Sequence, residues 1–189
     1  MKKTILLVIL VILAVALAGC AKKEETTVGE EKKSESKFEE IKKNIVPNVV
    51  KVVEEGNVTK EYIDTTCKKF YELFGRPEGL TSAQRDALDE YFEKYYEGKY
   101  VVWTCEVKDV KCSNNFCRLY LKCRGVSEHR MEIWAEFNGK ELEGLREKLL
   151  ELNEGDLVTV EGKLSDKRST DAVAFLGELV VELSDCKLR

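Results

Sequence analysis

Cysteine is the residue type with the widest chemical potential in this chain, because a thiol can form a disulfide, bind a metal or carry a lipid. The sequence has seven cysteines. Four of them, Cys105, Cys112, Cys117 and Cys123, follow the spacing C-x6-C-x4-C-x5-C. This spacing lacks the paired C-x2-C units that bring thiolates to one zinc ion. It favours disulfides over a metal site, and buried thiols are the remaining alternative.

Alternating apolar residues around these cysteines predict an antiparallel hairpin. The apolar residues expected to face the core have odd numbers as far as Val107 and even numbers from Val110. This change predicts one extra residue, a β-bulge near Lys108 and Asp109, which keeps both halves facing the core. The resulting register opposes two pairs of cysteines: Cys105 with Cys123, and Cys112 with Cys117. We expect disulfides at both pairs, and the two remaining cysteines form the third expected pair: Cys67 with Cys186.

The first cysteine, Cys20, ends the sequence Leu17-Ala18-Gly19-Cys20, which closes an apolar run behind two lysines. A charged start, an apolar run and small residues are the pattern of a secretory signal. The run is short for a membrane span, which needs about 20 apolar residues. These four residues resemble the lipobox of exported lipoproteins. The resemblance implies cleavage before Cys20, a diacylglyceryl thioether on its sulfur, and an extracytoplasmic protein anchored to the cell membrane by that lipid, where disulfides persist.

Composition and periodicity divide the chain into five parts. They are a signal peptide (1–19), the lipidated cysteine with a charged flexible tether (20–37), an ambiguous helical or linker segment (38–58), a two-helix region (59–97) and a β-barrel domain (98–189). The tether has too few apolar residues to offset the entropy cost of folding. The first helix is expected from Thr59, with Cys67 on its buried face, and the second begins at a capping box formed by Thr81 and Gln84.

After Gly98 the apolar period becomes two, which predicts five strands. A helical stretch over residues 142–152 separates the third strand from the fourth, and residues 167–171 form a polar loop before the fifth. The expected inward residues of strands three to five are Met131, Ile133, Ala135 and Phe137, then Val158, Val160, Gly162 and Leu164, then Phe175, Gly177, Leu179, Val181 and Leu183.

This region resembles the exported OB-fold family named for its likeness to tRNA-anticodon-binding domains. The matching residues are Leu80-Thr81 with Gln84, Gly98-Lys99-Tyr100-Val101 with Trp103, Val107, Asp109-Val110, and the stretch from Gly155 to Gly162. The resemblance covers roughly residues 80–183. It implies an α+β fold: a five-stranded OB-like Greek-key β-barrel preceded by two helices, with a helix between strands three and four. The second and third strands of such barrels often form the binding face.

The outward residues of those two strands are the candidate binding face. They are Arg118, Tyr120, Lys122, Glu132 and Trp134. The row on strand two alone is typical of a nucleic-acid platform. A register with Tyr120 opposite Trp134, however, sets Lys122 against Glu132 and Arg118 against Glu136. Such pairs neutralise the face, which leaves a structural ladder, a patch for a peptide, glycan or small ligand, and nucleic acid as alternatives.

Catalytic signals are weak in this sequence. The single histidine, His129, falls in an expected loop over residues 125–129, and no G-x-S-x-G, H-E-x-x-H or phosphate-loop motif occurs. The net charge of −4 also disfavours a polyanionic partner. We expect no enzyme activity, no cofactor and no metal. The sequence predicts a membrane-anchored binding or envelope-interaction module for an envelope protein, peptide or glycan; the alternatives are an oligonucleotide-binding domain and a structural spacer without ligand.

Overall fold

The computed structural model describes residues 35–75, 79–127, 130–170 and 178–189. The expected signal, Cys20 and most of the tether lie outside this range, as do His129, Phe175 and Gly177. Within the described ranges, no helix combines the length and the apolar character that crossing a membrane requires.

The N-terminal part combines three helices with a β-hairpin. Its elements are α1 (35–44), β1 (Val49–Glu55), β2 (Val58–Ile63), α2 (Cys67–Phe74) and α3 (Ser82–Tyr95). The strands of the hairpin are antiparallel and turn at Gly56, whose φ of 62° suits glycine. The previously ambiguous segment 38–58 is therefore part helix and part strand.

Two sequence-based boundaries are wrong in this part. The first expected helix does not begin at Thr59, because residues 58–63 form β2 and α2 begins only at Cys67. Its N-cap is Thr66, whose side chain accepts a hydrogen bond from the backbone N–H of Lys69. Helix α1 also starts within the expected tether, since residues 35–37 are already helical. The capping box of α3 is confirmed: Thr81 and Gln84 exchange both hydrogen bonds.

Five strands close into a β-barrel. They are β3 (Tyr100–Cys112), β4 (Phe116–Lys122), β5 (Met131–Asn138), β6 (Leu157–Thr170) and β7 (Glu178–Leu188). Their hydrogen-bonded order is β3-β4-β5-β7-β6, and pairing between β3 and β6 closes the ring. Only β5 and β7 are parallel in that ring. This order confirms the α+β class and the five-stranded OB-like barrel.

The strand registers follow the alternation of the sequence. The bulge lies between Val107 and Asp109, as expected. The β4–β5 register also places Tyr120 opposite Trp134, and the flanking charged residues pair as predicted. Side chains that point into the barrel are almost fully excluded from solvent: Val101, Cys105, Val107, Leu119, Leu121, Ile133, Ala135, Phe137, Val160, Leu164 and Val181. Each large aliphatic side chain buried in this way contributes about 1.5–3 kcal/mol.

The connection between β5 and β6 is helical, but it is interrupted and lies two residues earlier than expected. It consists of α4 (Lys140–Glu143) and α5 (Arg146–Leu150), separated by residues 144 and 145. Leu142 of α4 and Leu149 of α5 are buried. The expected polar loop over residues 167–171 is wrong for residues 167–170, because β6 continues to Thr170 and pairs there with β7.

Aromatic side chains pack α2 and α3 against the barrel. The Phe70 ring is fully buried and lies 5.5 Å from the Trp103 ring and 5.6 Å from the Tyr96 ring, measured between centroids. The indole N–H of Trp103 donates a 2.7 Å hydrogen bond to the Thr65 carbonyl. Edge-to-face contacts of this kind add about 0.5–1.5 kcal/mol each beyond burial. These three rings belong to the hydrophobic core that the helices share with the barrel.

One of the three expected disulfides is confirmed and two are wrong. Cys112 is bonded to Cys117 across the hairpin. Cys67 is bonded to Cys123, and this bond contradicts both the Cys105–Cys123 pair and the Cys67–Cys186 pair. The physical reason is the position of α2. Its first residue, Cys67, lies beside the end of β4 and forms the disulfide with Cys123 there.

Cys105 and Cys186 are buried thiols in different parts of the barrel. Cys105 pairs with Val158 of β6, whereas the Cys186 sulfur would lie 3.0 Å from a Cβ atom added to Gly162. Val158 and Gly162 are four residues apart on β6, which is a distance of roughly 13 Å. The thiols of Cys105 and Cys186 are therefore too far apart to form a disulfide. The Cys186 thiol donates to the Leu183 carbonyl at 3.3 Å. Glycine suits position 162 because an added Cβ atom would lie only 2.9 Å from the Leu183 Cβ and 3.0 Å from the Cys186 sulfur.

Candidate binding face

The outer surface of β4 and β5 carries the five residues that the sequence singled out. Arg118, Tyr120 and Lys122 alternate with buried residues on β4, and Glu132 and Trp134 do so on β5. All five are half-buried. Tyr120 and Trp134 are direct cross-strand neighbours, with ring centroids 5.8 Å apart and ring planes at 67°. The structure therefore brings the predicted site residues together on one surface, which we call the aromatic face.

The Arg118 guanidinium connects the aromatic rings of this face. Its central carbon lies 5.0 Å from the centroid of Trp134 and 6.0 Å from that of Phe116. One nitrogen donates a 2.9 Å hydrogen bond to the Glu136 carboxylate. This hydrogen bond raises the pKa of Arg118 above its ordinary value, with a smaller contribution from Tyr120. The guanidinium lies over the Trp134 indole, where a cation is attracted by the ring's quadrupole.

Glu132 fixes the orientation of the Trp134 indole. One of its oxygens accepts a 2.6 Å hydrogen bond from the indole N–H, and the other accepts a 2.6 Å hydrogen bond from the Lys108 ammonium. The Glu132 side chain is only 13% exposed. Because the Glu132 carboxylate is shielded from solvent and accepts two hydrogen bonds, it holds the Trp134 indole in one orientation.

Each cation of the aromatic face has a carboxylate within ion-pair distance. Besides the pairs of Arg118 and Lys108, the Lys122 ammonium lies 3.6 Å from Glu154, and the Lys111 ammonium lies 3.4 Å from Asp109. Lys111 also lies 4.7 Å from the centroid of the Tyr120 ring. Four basic and four acidic groups therefore share this surface, and it carries no excess of positive charge.

Sequence reasoning missed several members of the face. Lys108 and Lys111 join it because the bulge in β3 changes which residues of that strand lie beside β4. Phe116, 37% exposed, extends the aromatic row at one end of β4. The bulge could have indicated Lys108, since the extra residue of a bulge is re-aimed relative to its neighbours. Glu154 lies in the loop before β6, and no pattern in the sequence connects it to Lys122.

Cys105, one of the two buried thiols of the barrel, is a protonated thiol at neutral pH. Cys105 is fully buried, and burial raises the pKa of its thiol to about 12. A thiol in this state is protonated at neutral pH and is a poor nucleophile. In the part of the chain that the structure describes, no cluster of three or more His, Cys, Asp or Glu side chains could hold a metal ion.

A concavity separate from the aromatic face lies between α3 and β6, with a volume of about 520 Å³. The Lys167 ammonium lies in it, paired with Asp89. The same ammonium is 5.3 Å from the centroid of Phe74 and 5.4 Å from that of Phe92. The chain's own lysine therefore occupies the aromatic position that a cationic ligand would need, and the aromatic face remains the stronger candidate.

Comparison with known proteins finds similarity only among solved structures: no family model and no curated protein matches the chain. OBody AM3L09 bound to hen egg-white lysozyme is 17% identical, with a TM-score of 0.34 over 49% of this chain and 82% of that chain. The aspartyl tRNA synthetase from Entamoeba histolytica is 8% identical, with a TM-score of 0.35 over 49% of this chain and 19% of that chain.

A putative aspartyl-tRNA synthetase from Leishmania major Friedlin is 10% identical, with a TM-score of 0.38 over 76% of this chain and 23% of that chain. This chain thus matches only about a fifth of each synthetase. At these TM-scores the likeness carries no argument about function, and the fold assignment rests on the strand order of the barrel.

Proposed function

We propose that this chain is an exported lipoprotein whose OB-like domain binds a protein segment of the cell envelope through the aromatic face. The observation that carries this proposal is the setting of Trp134. Its indole contacts both the Arg118 guanidinium and the Tyr120 ring, and its N–H donates a hydrogen bond to Glu132. Trp, Tyr and Arg dominate the binding energy of protein interfaces, above all where they are held rigidly at the centre of a patch.

The charge balance of the face favours a protein over a nucleic acid. A polyanion gains affinity by pairing phosphates with lysine and arginine side chains, and counterions are released as it does so. Here such pairing would compete with Glu136 for Arg118 and with Glu132 for Lys108, and both carboxylates would repel phosphate. A peptide or protein surface needs no such exchange, because aromatic contacts and neutral hydrogen bonds suffice.

The anchoring part of the proposal rests on the residues before the described domain and on its disulfides. The Leu17–Cys20 sequence resembles a lipobox, and two disulfides suit an oxidising compartment outside the cytoplasm. Two acyl chains on Cys20 would give stable attachment, because each buried methylene contributes about 0.8 kcal/mol.

Intact-mass analysis of membrane-extracted protein tests the anchor. The expected mass is that of a chain starting at Cys20 plus a diacylglyceryl group, with an increase on reduction that corresponds to two disulfides. A chain that keeps residues 1–19, or one whose Cys20 carries no lipid, contradicts this part of the proposal.

The binding part is tested by affinity capture from solubilised envelopes, with the wild-type protein and Trp134→Ala compared side by side. A matched control is Thr104→Ala, which changes an exposed residue of β3 whose hydroxyl contacts Thr159 outside the face. We expect one dominant envelope protein in the wild-type and control eluates, and a loss of at least tenfold in Trp134→Ala.

Two results, one from this capture and one from a separate oligonucleotide-binding measurement, would contradict the proposed function. Equal capture by the wild type and Trp134→Ala would make the face a structural ladder only. Binding of oligonucleotides that falls steeply with salt, and that is lost in the Arg118→Ala/Tyr120→Ala double variant, would favour nucleic acid instead. Thermal unfolding of each variant controls for loss of folding.

A further inference from the structure

Strand β1 lies at the edge of the sheet, outside the closed barrel. The strand order places it last, after β2, and no strand among the described residues pairs with its outer side. Its regular segment runs from Lys51 to Glu55, because the register is interrupted between Val49 and Lys51 and the hairpin turns at Gly56. The outer backbone N–H and C=O groups of an edge strand are a template for another strand.

This edge is unusually apolar on its exposed surface. Val49, Val50 and Val52 are 50%, 61% and 58% exposed, and the adjoining Val46 and Val58 are 59% and 55% exposed. Such valines are favourable in a strand only when a neighbour packs against them. Edge strands that remain single are usually protected by charges or by a cover. In β1 the charged residues are Lys51, Glu54 and Glu55, and the other four residues are valines.

The charge pattern of β1 indicates which strand would pair with this edge. We propose that β1 pairs antiparallel with β1 of a second copy of this chain, about a two-fold axis at Val53. This interface lies away from the aromatic face and does not depend on the function proposed for it. A two-fold axis normal to the sheet requires one residue to oppose itself, because opposed side chains project from the same face.

Each residue of the strand could lie on such an axis, but only the axis at Val53 sets Lys51 opposite a carboxylate. An axis at Lys51 opposes two lysines, and an axis at Val52 leaves Lys51 and Glu55 opposite valines. An axis at Val53 places Lys51 opposite Glu55 of the second copy, and symmetry makes that pair twice. Glu55 already binds Lys60 at 2.7 Å, and its carboxylate has capacity for a second cation.

The Val53 register also brings one exposed valine of each copy together. Val52 of one copy lies diagonal to Val52 of the other on the solvent-facing side, within reach of side-chain contact. The two hairpins then form one continuous sheet, and each Val52 side chain is partly shielded from water by the other copy. Because a two-fold pairing closes on itself, the product is a dimer and not a fibre.

A cysteine introduced at the proposed axis tests this register. Directly opposed residues in an antiparallel pair have Cα atoms about 4.5–5.5 Å apart, within the span of a disulfide. In the full-length protein, extracted in mild detergent and oxidised with copper-phenanthroline, Val53→Cys is expected to give a dimer joined through the introduced thiols of both copies. The control is Val58→Cys, at a position that is 55% exposed on β2 and does not meet its own counterpart in this arrangement.

Peptide mapping of the oxidised product decides the outcome. A link between the two introduced thiols in Val53→Cys, with little linkage in Val58→Cys, supports the dimer. No link, equal linkage in both variants, or attachment of the introduced thiol to a different protein overturns it. None of these results bears on capture through Trp134, so failure of the dimer and failure of the proposed function are distinguishable.

A charge exchange provides a second readout that does not rely on sulfur chemistry. Lys51→Glu alone and Glu55→Lys alone each set like charges opposite one another twice, so each dimer should dissociate about tenfold more readily than the wild type. A mixture of the two variants restores both opposite-charge pairs in the heterodimer. Recovery in the mixture supports the register, and an unchanged Lys51→Glu dimer or an unrecovered mixture overturns it.

Discussion

Cys67, the first residue of α2, is bonded to Cys123, which lies one residue beyond the end of β4, with Cα atoms 5.9 Å apart. This bond attaches the helices to the barrel at the C-terminal end of β4, the strand that carries Arg118, Tyr120 and Lys122. The hydrogen bond from the Trp103 indole to Thr65 reinforces the same contact from inside. The helices and the barrel therefore share one core, and we expect them to unfold together.

The two disulfides should contribute unequally to stability. The Cys67–Cys123 bond joins residues 56 apart, whereas the Cys112–Cys117 bond joins residues only 5 apart. The chain-entropy account then gives about 4 kcal/mol for the first and about 2 kcal/mol for the second. Urea unfolding should show a larger loss in the Cys67→Ser/Cys123→Ser variant than in the Cys112→Ser/Cys117→Ser variant. An equal loss, or the reverse order, would contradict this account.

Removal of Cys67 alone should redirect its partner. The β3–β4 register ends with Glu106 opposite Lys122, and one further step along both strands sets Cys105 against Cys123. In Cys67→Ser, Cys123 loses its partner while Cys105 remains across the ladder. We expect non-reducing peptide mapping of the oxidised variant to recover a Cys105–Cys123 bond. Recovery of both residues as alkylated thiols would show that the barrel holds them apart.

The strand registers were predictable from the sequence because alternation is a local signal. Each inward residue had to be apolar, so the single change of parity between Val107 and Val110 fixed the bulge, and the bulge fixed the pairing of Cys112 with Cys117. Tyr120 opposite Trp134 followed in the same way. The central residues of the candidate site could therefore be placed before the structure was known.

The parts that sequence reasoning missed depend on tertiary contacts. The valines of β1 fit either a helix or a strand, and only the pairing of β1 with β2 and the packing of Tyr62 against the barrel decide between them. The partner of Cys67 depends on where α2 lies over the barrel, which no local pattern encodes. For the same reason Lys108 and Glu154 were absent from the predicted face.

Acid should reduce the stability of the fold by protonating Glu161, which binds Tyr62 and the C-terminal residue Arg189. This buried carboxylate accepts hydrogen bonds from the Tyr62 hydroxyl, at 2.6 Å, and from Arg189. Burial raises its pKa, but the two hydrogen bonds outweigh burial and hold the pKa below the ordinary value of 4.5. Because the folded-state pKa is lowered, the stabilisation is complete above about pH 4.5 and is lost as the pH falls through the folded-state value.

The Glu161→Gln variant tests this linkage. It should be less stable than the wild type at pH 7, and the difference should shrink as the pH falls below about 4.5 in a series of urea unfolding curves. Glu147→Gln, on an exposed position of α5, controls for the general loss of one carboxylate. A stability difference that stays constant from pH 7 to pH 3 would contradict the assignment.

Neutralisation of the aromatic face should be reversible by mutation. Glu132 and Glu136 hold Lys108 and Arg118 in ion pairs, and both carboxylates lie on the outer surface of β5. In the Glu132→Gln/Glu136→Gln double variant these cations become available to phosphates. We expect single-stranded oligonucleotides to bind this variant more tightly than the wild type, with an affinity that falls as salt rises. Tight binding to the wild type, unchanged in the variant, would contradict a self-neutralised face.

Site-specific photo-crosslinking in cells that produce the protein tests the central claim most directly. A benzophenone side chain at position 120 keeps an aromatic ring beside Trp134, and the same group at Val102, which is 42% exposed on the part of β3 that does not pair with β4, is the control. The account predicts an irradiation-dependent adduct to one envelope protein from position 120 that disappears when Trp134 is changed to alanine. Absence of an adduct, or the same adduct from position 102, would contradict it.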